Sequence, residues 1–372
     1  MHMRALAGAI ICATAARTAG ADCSTPIVSG CIDSDTLWPH AGPSQFLTVG
    51  GTETTASNQI AFGLLMTYLL QPIQIYSPSP GPLGSYRPAI GDQLDATFLF
   101  AYGVTDRLEL DLALPVTVFQ DGAGTGPIDG SGDVASTVTR DMRFGLTYAF
   151  VRRPKKHPWR HDASGFGLAG RFEVSAPTGD AEAFASEPNA VFIPSVAADY
   201  RSHRFFVGAE VGVRIRPLTD FLGSRIGTQA VVAAGVGFDV LKRELLTLTG
   251  EVRFLPVLTE QANVTETAGG YQSSANGKYI VPAEWMVSAR TAPIEGGDLT
   301  FQLGAGGALP GGTDANGNII VPITVPAFRI ALGLTFAPRG RDTDADGVPD
   351  AVDRCPLEPG PRDSAAGMGC PL

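Results

Sequence analysis

Phe328-Arg329-Ile330-Ala331-Leu332-Gly333-Leu334-Thr335-Phe336 decides the fold. Its bulky apolar residues fall at every second position, with Arg329, Ala331, Gly333 and Thr335 between them. Successive side chains of a strand point to opposite faces, so as a strand this stretch has one apolar face and one small or polar face. A helix scatters the same groups around its circumference. The alternation recurs from Arg107 to Phe119, where Leu108, Leu110, Leu112 and Leu114 alternate with Glu109, Asp111, Ala113 and Pro115, and again from Met142 to Phe150. Working outward, the pattern predicts strands over 59–70, 92–103, 107–119, 140–151, 165–176, 190–201, 203–215, 226–240, 244–256, 283–291, 297–309 and 326–337. Each is about as long as a tilted strand needs to cross a bilayer, ~9–11 residues.

The connections alternate as well. Those over 71–91, 120–139, 177–189, 216–225, 257–282 and 310–325 are long and rich in Gly, Pro and polar residues, whereas 104–106, 202, 241–243 and 292–296 are tight. Only the basic 152–164 turn breaks the rule. Long loops at one end and short turns at the other are the pattern of bacterial outer-membrane barrels. The expected fold is therefore all-β, a 12-stranded antiparallel transmembrane β-barrel spanning 58–337, with a short calcium-binding C-terminal segment over 338–372.

Composition agrees. The chain has 372 residues, 44% hydrophobic but only 17% charged, with 45 Gly and 28 Pro. Past the N-terminus no apolar run reaches the roughly 18 residues of a spanning helix, so a helical membrane protein is excluded. A soluble β-sandwich would have to solvate one strand face, and both faces are poor in Lys and Glu. Met1 to Ala21, with Arg4, an apolar Ala5–Ala16 stretch and a small-residue Ala19-Gly20-Ala21 end, reads as a secretory signal peptide. Residues 22–57 then form an N-terminal periplasmic or plug segment. Acidic residues outnumber basic ones, 37 to 27, with two of the basic ones in the leader, which argues against nucleic acid as a partner. Cys12 leaves with the leader. Cys23, Cys31, Cys355 and Cys370 remain, an even count that reads as disulfides in an exported chain. Three connectivities are formally open, and local pairing, Cys23 with Cys31 and Cys355 with Cys370, is the simplest.

With the apolar set facing lipid, the other set faces the lumen. It includes Glu109, Asp111, Arg143, Arg171, Glu173, Glu210, Arg214, Glu251, Arg253 and Arg329, with Asp95, Asp199 and Arg290 beside them. Two readings follow: a salt-bridged interior that holds the barrel closed, or a narrow water-filled pore. Twelve strands tilted by about 40° give a backbone diameter of roughly 24 Å. Inward glycines such as Gly208, Gly235 and Gly304 leave space, which residues 22–57 could fill.

The strongest chemical motif follows the barrel. Asp342, Asp344, Asp346, Asp350 and Asp353 stand at positions 1, 3, 5, 9 and 12 of a twelve-residue loop, with Gly347 at position 6. That spacing wraps a hard cation in oxygen ligands, Val348 contributing its carbonyl, so Ca²⁺ is the expected cofactor. Asp stands in place of the usual Glu at position 12, and flanking helices are missing.

The run D-x-D-x-D-G-x-x-D-x-x-D-x-C from Asp342 to Cys355, followed by Cys370-Pro371, resembles a thrombospondin type 3 repeat. That family's calcium ligands map onto Asp342, Asp344, Asp346, Val348, Asp350 and Asp353. A barrel followed by such a repeat is similar to the outer-membrane protein A-like family of Gram-negative bacteria. Leu37–Gly42, Val104–Pro115 and Phe172–Asp180 carry that likeness. The family's usual peptidoglycan-binding domain is not in this sequence, so wall anchoring is not carried over.

None of His2, His40, His157, His161 and His203 stands beside a Ser nucleophile on the membrane-facing strands, and no enzyme activity is expected. The favoured expectation is a structural or interaction barrel in outer-membrane lipid, its calcium-binding tail in the periplasm contacting a periplasmic protein or cell-wall partner. The alternative is a passive pore or transporter for small or apolar solutes, and a second alternative is a secreted calcium-binding adhesin.

Overall fold

The alternating stretches become strands that close on one another. The computed structural model describes residues 29–77, 85–126, 132–153, 164–221, 223–241, 245–267, 270–293, 298–309 and 323–338, and in the tail 344, 346, 348, 353–361 and 363–371. In chain order the strands are β1 (Ile60–Ser77), β2 (Ser85–Gly103), β3 (Leu108–Asp121), β4 (Val138–Thr139), β5 (Arg143–Val151) and β6 (Gly165–Ser175). They continue with β7 (Val191–Ser202), β8 (Phe205–Arg214), β9 (Thr219–Phe221), β10 (Ser224–Ile226), β11 (Gln229–Asp239) and β12 (Thr247–Phe254). The last are β13 (Ala262–Thr267), β14 (Gly270–Ala275), β15 (Ala283–Thr291), β16 (Leu299–Ala308) and β17 (Phe328–Phe336).

Twelve of these form a ring of antiparallel neighbours, β1-β2-β3-β5-β6-β7-β8-β11-β12-β15-β16-β17, and β17 pairs back onto β1 from Leu70↔Phe328 to Phe62↔Phe336. Closure leaves no free sheet edge, which a membrane core would not tolerate. The even strand number puts both ends of the ring at the short-turn end. β4 extends the wall beside β3, and β9–β10 and β13–β14 are small hairpins within the long connections.

Arg329 and Ala331 are fully buried, while Ile330 between them is 41% exposed and Leu332 beyond them 52%. The wall thus inverts the rule for soluble sheets: apolar residues cover the outside and charged residues the inside, as in a barrel facing lipid. Outward aromatics stack across neighbouring strands, Phe62 with Phe336 at 5.1 Å and Phe172 with Phe192 at 6.4 Å between ring centroids.

The 71–91 stretch departs from the expected loop. Gln71 takes a positive φ of 50° ahead of Pro72, and the β1–β2 register shifts between Leu70 and Ile73. Pairing then resumes at Ile73↔Ile90 and reaches Ser77↔Ser85. A bulge absorbs the proline that reads as a strand end in sequence.

Residues 29–57 contribute no strand to the ring and run through it. At the long-loop end Ile32 packs with Ile73, Ile90 and Phe184. At the short-turn end Ser57 bridges to Gly103 and the Asn58 amide donates to the Gly103 carbonyl. Between these ends Leu37 and Leu47 pack on Leu65 and Met286, Phe46 and Val49 on Phe206, and Trp38 on Val191 and Ile193. Each such large side chain taken from water contributes about 1.5–3 kcal/mol.

Candidate functional site

The lumen is built from wall carboxylates and arginines that grip this internal segment. Glu251 on β12 accepts from the Leu47 amide at 3.0 Å, the Thr48 amide at 2.6 Å and the Thr48 hydroxyl at 2.7 Å. Glu210 on β8 accepts from the Gly50 amide at 2.8 Å and the Ser195 hydroxyl at 2.7 Å. Glu109 on β3 accepts from the Thr55 amide at 2.5 Å, and Asp199 on β7 from the Thr52 hydroxyl at 2.5 Å. Irregular backbone leaves amides without ladder partners, and at barrel depth each needs an acceptor. The inward carboxylates supply them.

His40 joins the segment to two of these groups, with Nδ1 3.0 Å from Glu173 and Nε2 3.6 Å from Glu210. Arg171 lies among the carboxylates and donates from Nε to Thr147 at 3.1 Å. Asp111 sits across from Gly145, its carboxylate where a side chain on that glycine would stand.

Towards the long-loop end the wall turns basic. Arg329, on β17, donates to Asp35 at 2.8 Å and to Glu284 at 2.5 Å. Arg140 pairs with Asp33 and, at 3.1 Å, with Asp95. The Arg214 and Arg143 guanidinium groups lie against the Trp38 ring, 4.3 and 4.9 Å from its centroid. The Thr36 carbonyl accepts from both Arg214 and Arg253. Over this end the 176–190 loop is tied down by Asp141, whose carboxylate accepts from the amides of Thr178, Gly179 and Glu187 and from the Ser186 hydroxyl. Burial holds the Glu187 carboxyl in this loop above its usual range, against the opposing pull of Arg216.

The space left by the inward glycines is filled. A Cβ on Gly208 or on Gly235 would stand 2.6 Å from the Phe46 ring, and one on Gly304 would stand 2.6 Å from Leu47. These glycines fit the internal segment rather than widening a channel.

All ten lumen positions named from sequence are inward on the wall. Glu284, Arg201 and Asp239 join them unannounced, the last two as a buried pair, although the alternation around Trp285 carried the signal for Glu284. Arg140 falls in the stretch expected as a strand over 140–151, on the face opposite Arg143; the strand begins only at Arg143, and in the irregular stretch between β4 and β5 Arg140 turns inward. In the basic 152–164 turn, Arg152 pairs with Asp106 at 3.6 Å, and Arg153 pairs with Glu53 and, at 3.2 Å, with Asp199. Those two side chains are thus held by the protein. His157 and His161 lie outside the described residues.

In the tail, ligand atoms of Asp344, Asp346 and Asp353 all lie within 4.8 Å of one another. Asp346 accepts from the Gly360 amide at 3.0 Å and Asp353 from the Cys355 amide at 2.7 Å. Asp344 Oδ2 and Asp353 Oδ2 are buried without a hydrogen-bond partner among the described residues. Val348 is buried beside them. Asp342 and Asp350 lie outside the described residues. Cys355 and Cys370 are bonded, with Cα atoms 4.9 Å apart. Cys31 is disulfide-bonded too, and Cys23, its expected partner, lies outside the described residues.

No protein-family model matches the chain, and no curated protein matches it. Solved structures do. An outer membrane channel from Pseudomonas putida F1 is 15% identical over 77% of this chain and 98% of its own, with a TM-score of 0.50. The NanC porin, at 8% identity over 74% and 98%, reaches 0.40, and the P. putida toluene transporter TodX, at 8% over 82% and 100%, reaches 0.39. At these identities the likeness concerns the fold. The chain folds as an outer-membrane β-barrel, a closed ring of twelve antiparallel strands.

Proposed function

We propose that this chain is a gated outer-membrane channel for small solutes, closed in the state described by residues 29–57. The observation that carries the reading is how the lumen is filled. A barrel with a purely structural role can close its interior with wall side chains, whereas this wall withdraws to glycine at Gly208, Gly235 and Gly304 to admit a separate segment. Beside its apolar contacts, that segment is held by hydrogen bonds and ion pairs to groups that water can replace. Displacing it leaves a polar passage roughly 10 Å wide. The long loops lie outside the cell and the short turns in the periplasm, in keeping with barrels of this class.

Planar-bilayer recording tests the reading. The full chain is expected to show only small, brief openings, and a chain lacking residues 33–50, shown to fold by heat-modifiable migration, a stable conductance at least tenfold larger. A folded but silent shortened barrel would overturn it.

The C-terminal segment extends this reading as a periplasmic calcium-binding tail. Two orphaned carboxylate oxygens beside a third converging carboxylate support a cation there, and the likeness to a thrombospondin type 3 repeat supports Ca²⁺. Asp342, Asp344, Asp346, Asp350 and Asp353, with the Val348 carbonyl, would hold it. The ordered tail would then offer a docking surface to a periplasmic or cell-wall partner.

A further inference from the structure

Arginines gather at the long-loop end of the lumen. Arg143 opens β5 and faces Ser175, the last residue of β6, while Arg214 closes β8 and faces Gln229, the first residue of β11. Arg253 and Arg329 stand near the same ends of β12 and β17, and Arg140 precedes β5. With Arg216, which follows β8 and pairs with Glu187, six arginines therefore gather at the long-loop end of the lumen. Carboxylates lie on the other side of them: along β8, Glu210 is nearer the short-turn end than Arg214, and along β12, Glu251 is nearer it than Arg253.

The internal segment is written to match. Its carboxylates, Asp33 and Asp35, meet the arginines. Its amide and hydroxyl donors, from Leu47 to Thr55, meet the carboxylates. In the carboxylate half most of these donors and acceptors meet, with Arg171 Nη1, Thr55 Oγ1 and Asp199 Oδ1 the exceptions among the described residues. The arginine half is not balanced. Against six guanidinium groups the wall sets Asp95 and Glu284, the 176–190 loop sets Glu187, and the segment adds Asp33 and Asp35. Arg143 Nε and Nη1, Arg214 Nε and Arg329 Nη1 are buried with no hydrogen-bond partner among the described residues. Arg143 and Arg214 instead clasp the Trp38 ring, which offers a π face and no lone pair. Buried guanidinium N–H groups without acceptors are costly, and a lumen serving only to seal the barrel gains nothing from them. They are suited to a solute that brings more acceptor oxygens than two aspartates do, since guanidinium takes carboxylate in a two-pronged fork.

We infer that the arginine ring is a binding site for small organic dicarboxylates, and that Asp33 and Asp35 occupy it in cis as stand-ins for the solute. The inference rests on the channel reading and names its cargo. A dicarboxylate entering from the long-loop end competes with the two aspartates for Arg140 and Arg329. In taking their place it releases the segment from the half of the lumen where its charge is spent. The solute is thereby both cargo and key.

Succinate is the probe, titrated calorimetrically at low salt into the detergent-solubilised full chain, with erythritol and putrescine as neutral and cationic controls. Asp33→Asn with Asp35→Asn vacates the ring and is expected to raise the succinate association constant at least tenfold over wild type. Adding Arg214→Gln and Arg253→Gln should lower it tenfold again. The controls should show no binding in any form. Unchanged or undetectable succinate binding in the folded Asp33→Asn, Asp35→Asn chain overturns the inference, as does equal binding of putrescine. If the double variant does not fold, Asp33→Asn alone, at a side chain 13% exposed, is read in the same way. The two readings fail separately. Succinate binding with no current from the shortened barrel removes the channel and leaves the anion site. Current without succinate binding removes the anion site and leaves the channel.

Discussion

Two segments poor in strand flank the barrel, and they are ordered by opposite means. Residues 29–57 take their order from the wall: their amides end on Glu251, Glu210 and Glu109, their carboxylates on Arg329 and Arg140, and Phe46 fits against bare glycine. The tail after 338 takes its order from itself, through a disulfide closed over fifteen residues and carboxylates that turn back onto its own amides. The first segment is therefore energetically part of the barrel, while the tail is an appendage. Perturbing one should be felt throughout the molecule and perturbing the other only locally.

Arg329 gives the largest expected effect. It is fully buried and pairs at once with Asp35 of the segment and Glu284 of the wall. Arg329→Gln leaves two carboxylates without their cation, and breaking a buried pair from one side costs about 3–5 kcal/mol. Urea denaturation followed by tryptophan fluorescence should show that loss, and Asp35→Asn in the same chain should recover part of it. A variant as stable as wild type would mean that the wall does not depend on the segment.

A smaller effect is expected at the glycines. Gly208→Val puts a side chain where the Phe46 ring lies, and overpacking of this kind costs about 1–3 kcal/mol. The strain is relieved if Phe46 leaves, so the variant should also open more often in a bilayer. The additional substitution Phe46→Ala should restore the stability lost to the clash. If Gly208→Val lowers stability without changing conductance, the ring is wall filling and not part of a movable closure.

The wall was far more legible than what fills it. Alternation is a local signal, set by the pleat, and it located all the ring strands but β1 and β2 to within a few residues, and the inward face of Glu109, Arg214, Glu251 and Arg329. Gln71-Pro72 misled because a bulge keeps its pairing through a residue that ends most strands. Residues 29–57 have no period to read. Their conformation is dictated by groups distant in sequence, so which carboxylate receives the Thr48 amide is decided only once the ring closes. Sequence shows the glycines as space that residues 22–57 could fill, and only the fold shows that Phe46 is the side chain occupying it at Gly208 and Gly235. In the tail the reverse holds: acidic spacing is local, and the convergence of Asp344, Asp346 and Asp353 needs no distant partner.

The tail provides the smallest effect on the barrel, and it is the sharpest test of the comparison. Carboxylate oxygens of Asp344, Asp346 and Asp353 lie within 4.8 Å of one another with like charge, a repulsion that a divalent cation removes. Chelation by EDTA should therefore increase proteolytic cleavage after Arg341 severalfold. Asp344→Asn with Asp353→Asn should abolish the difference between chelated and calcium-loaded chains, because little charge remains to neutralise. Throughout, the urea midpoint of the barrel should stay where it is, since none of the ion pairs described for Arg329 or Arg140 involves a tail residue. An unchanged cleavage pattern would remove calcium from the tail. A shifted barrel midpoint would show that the tail, like the inner segment, draws its order from the wall, and the contrast between the two would then be one of degree.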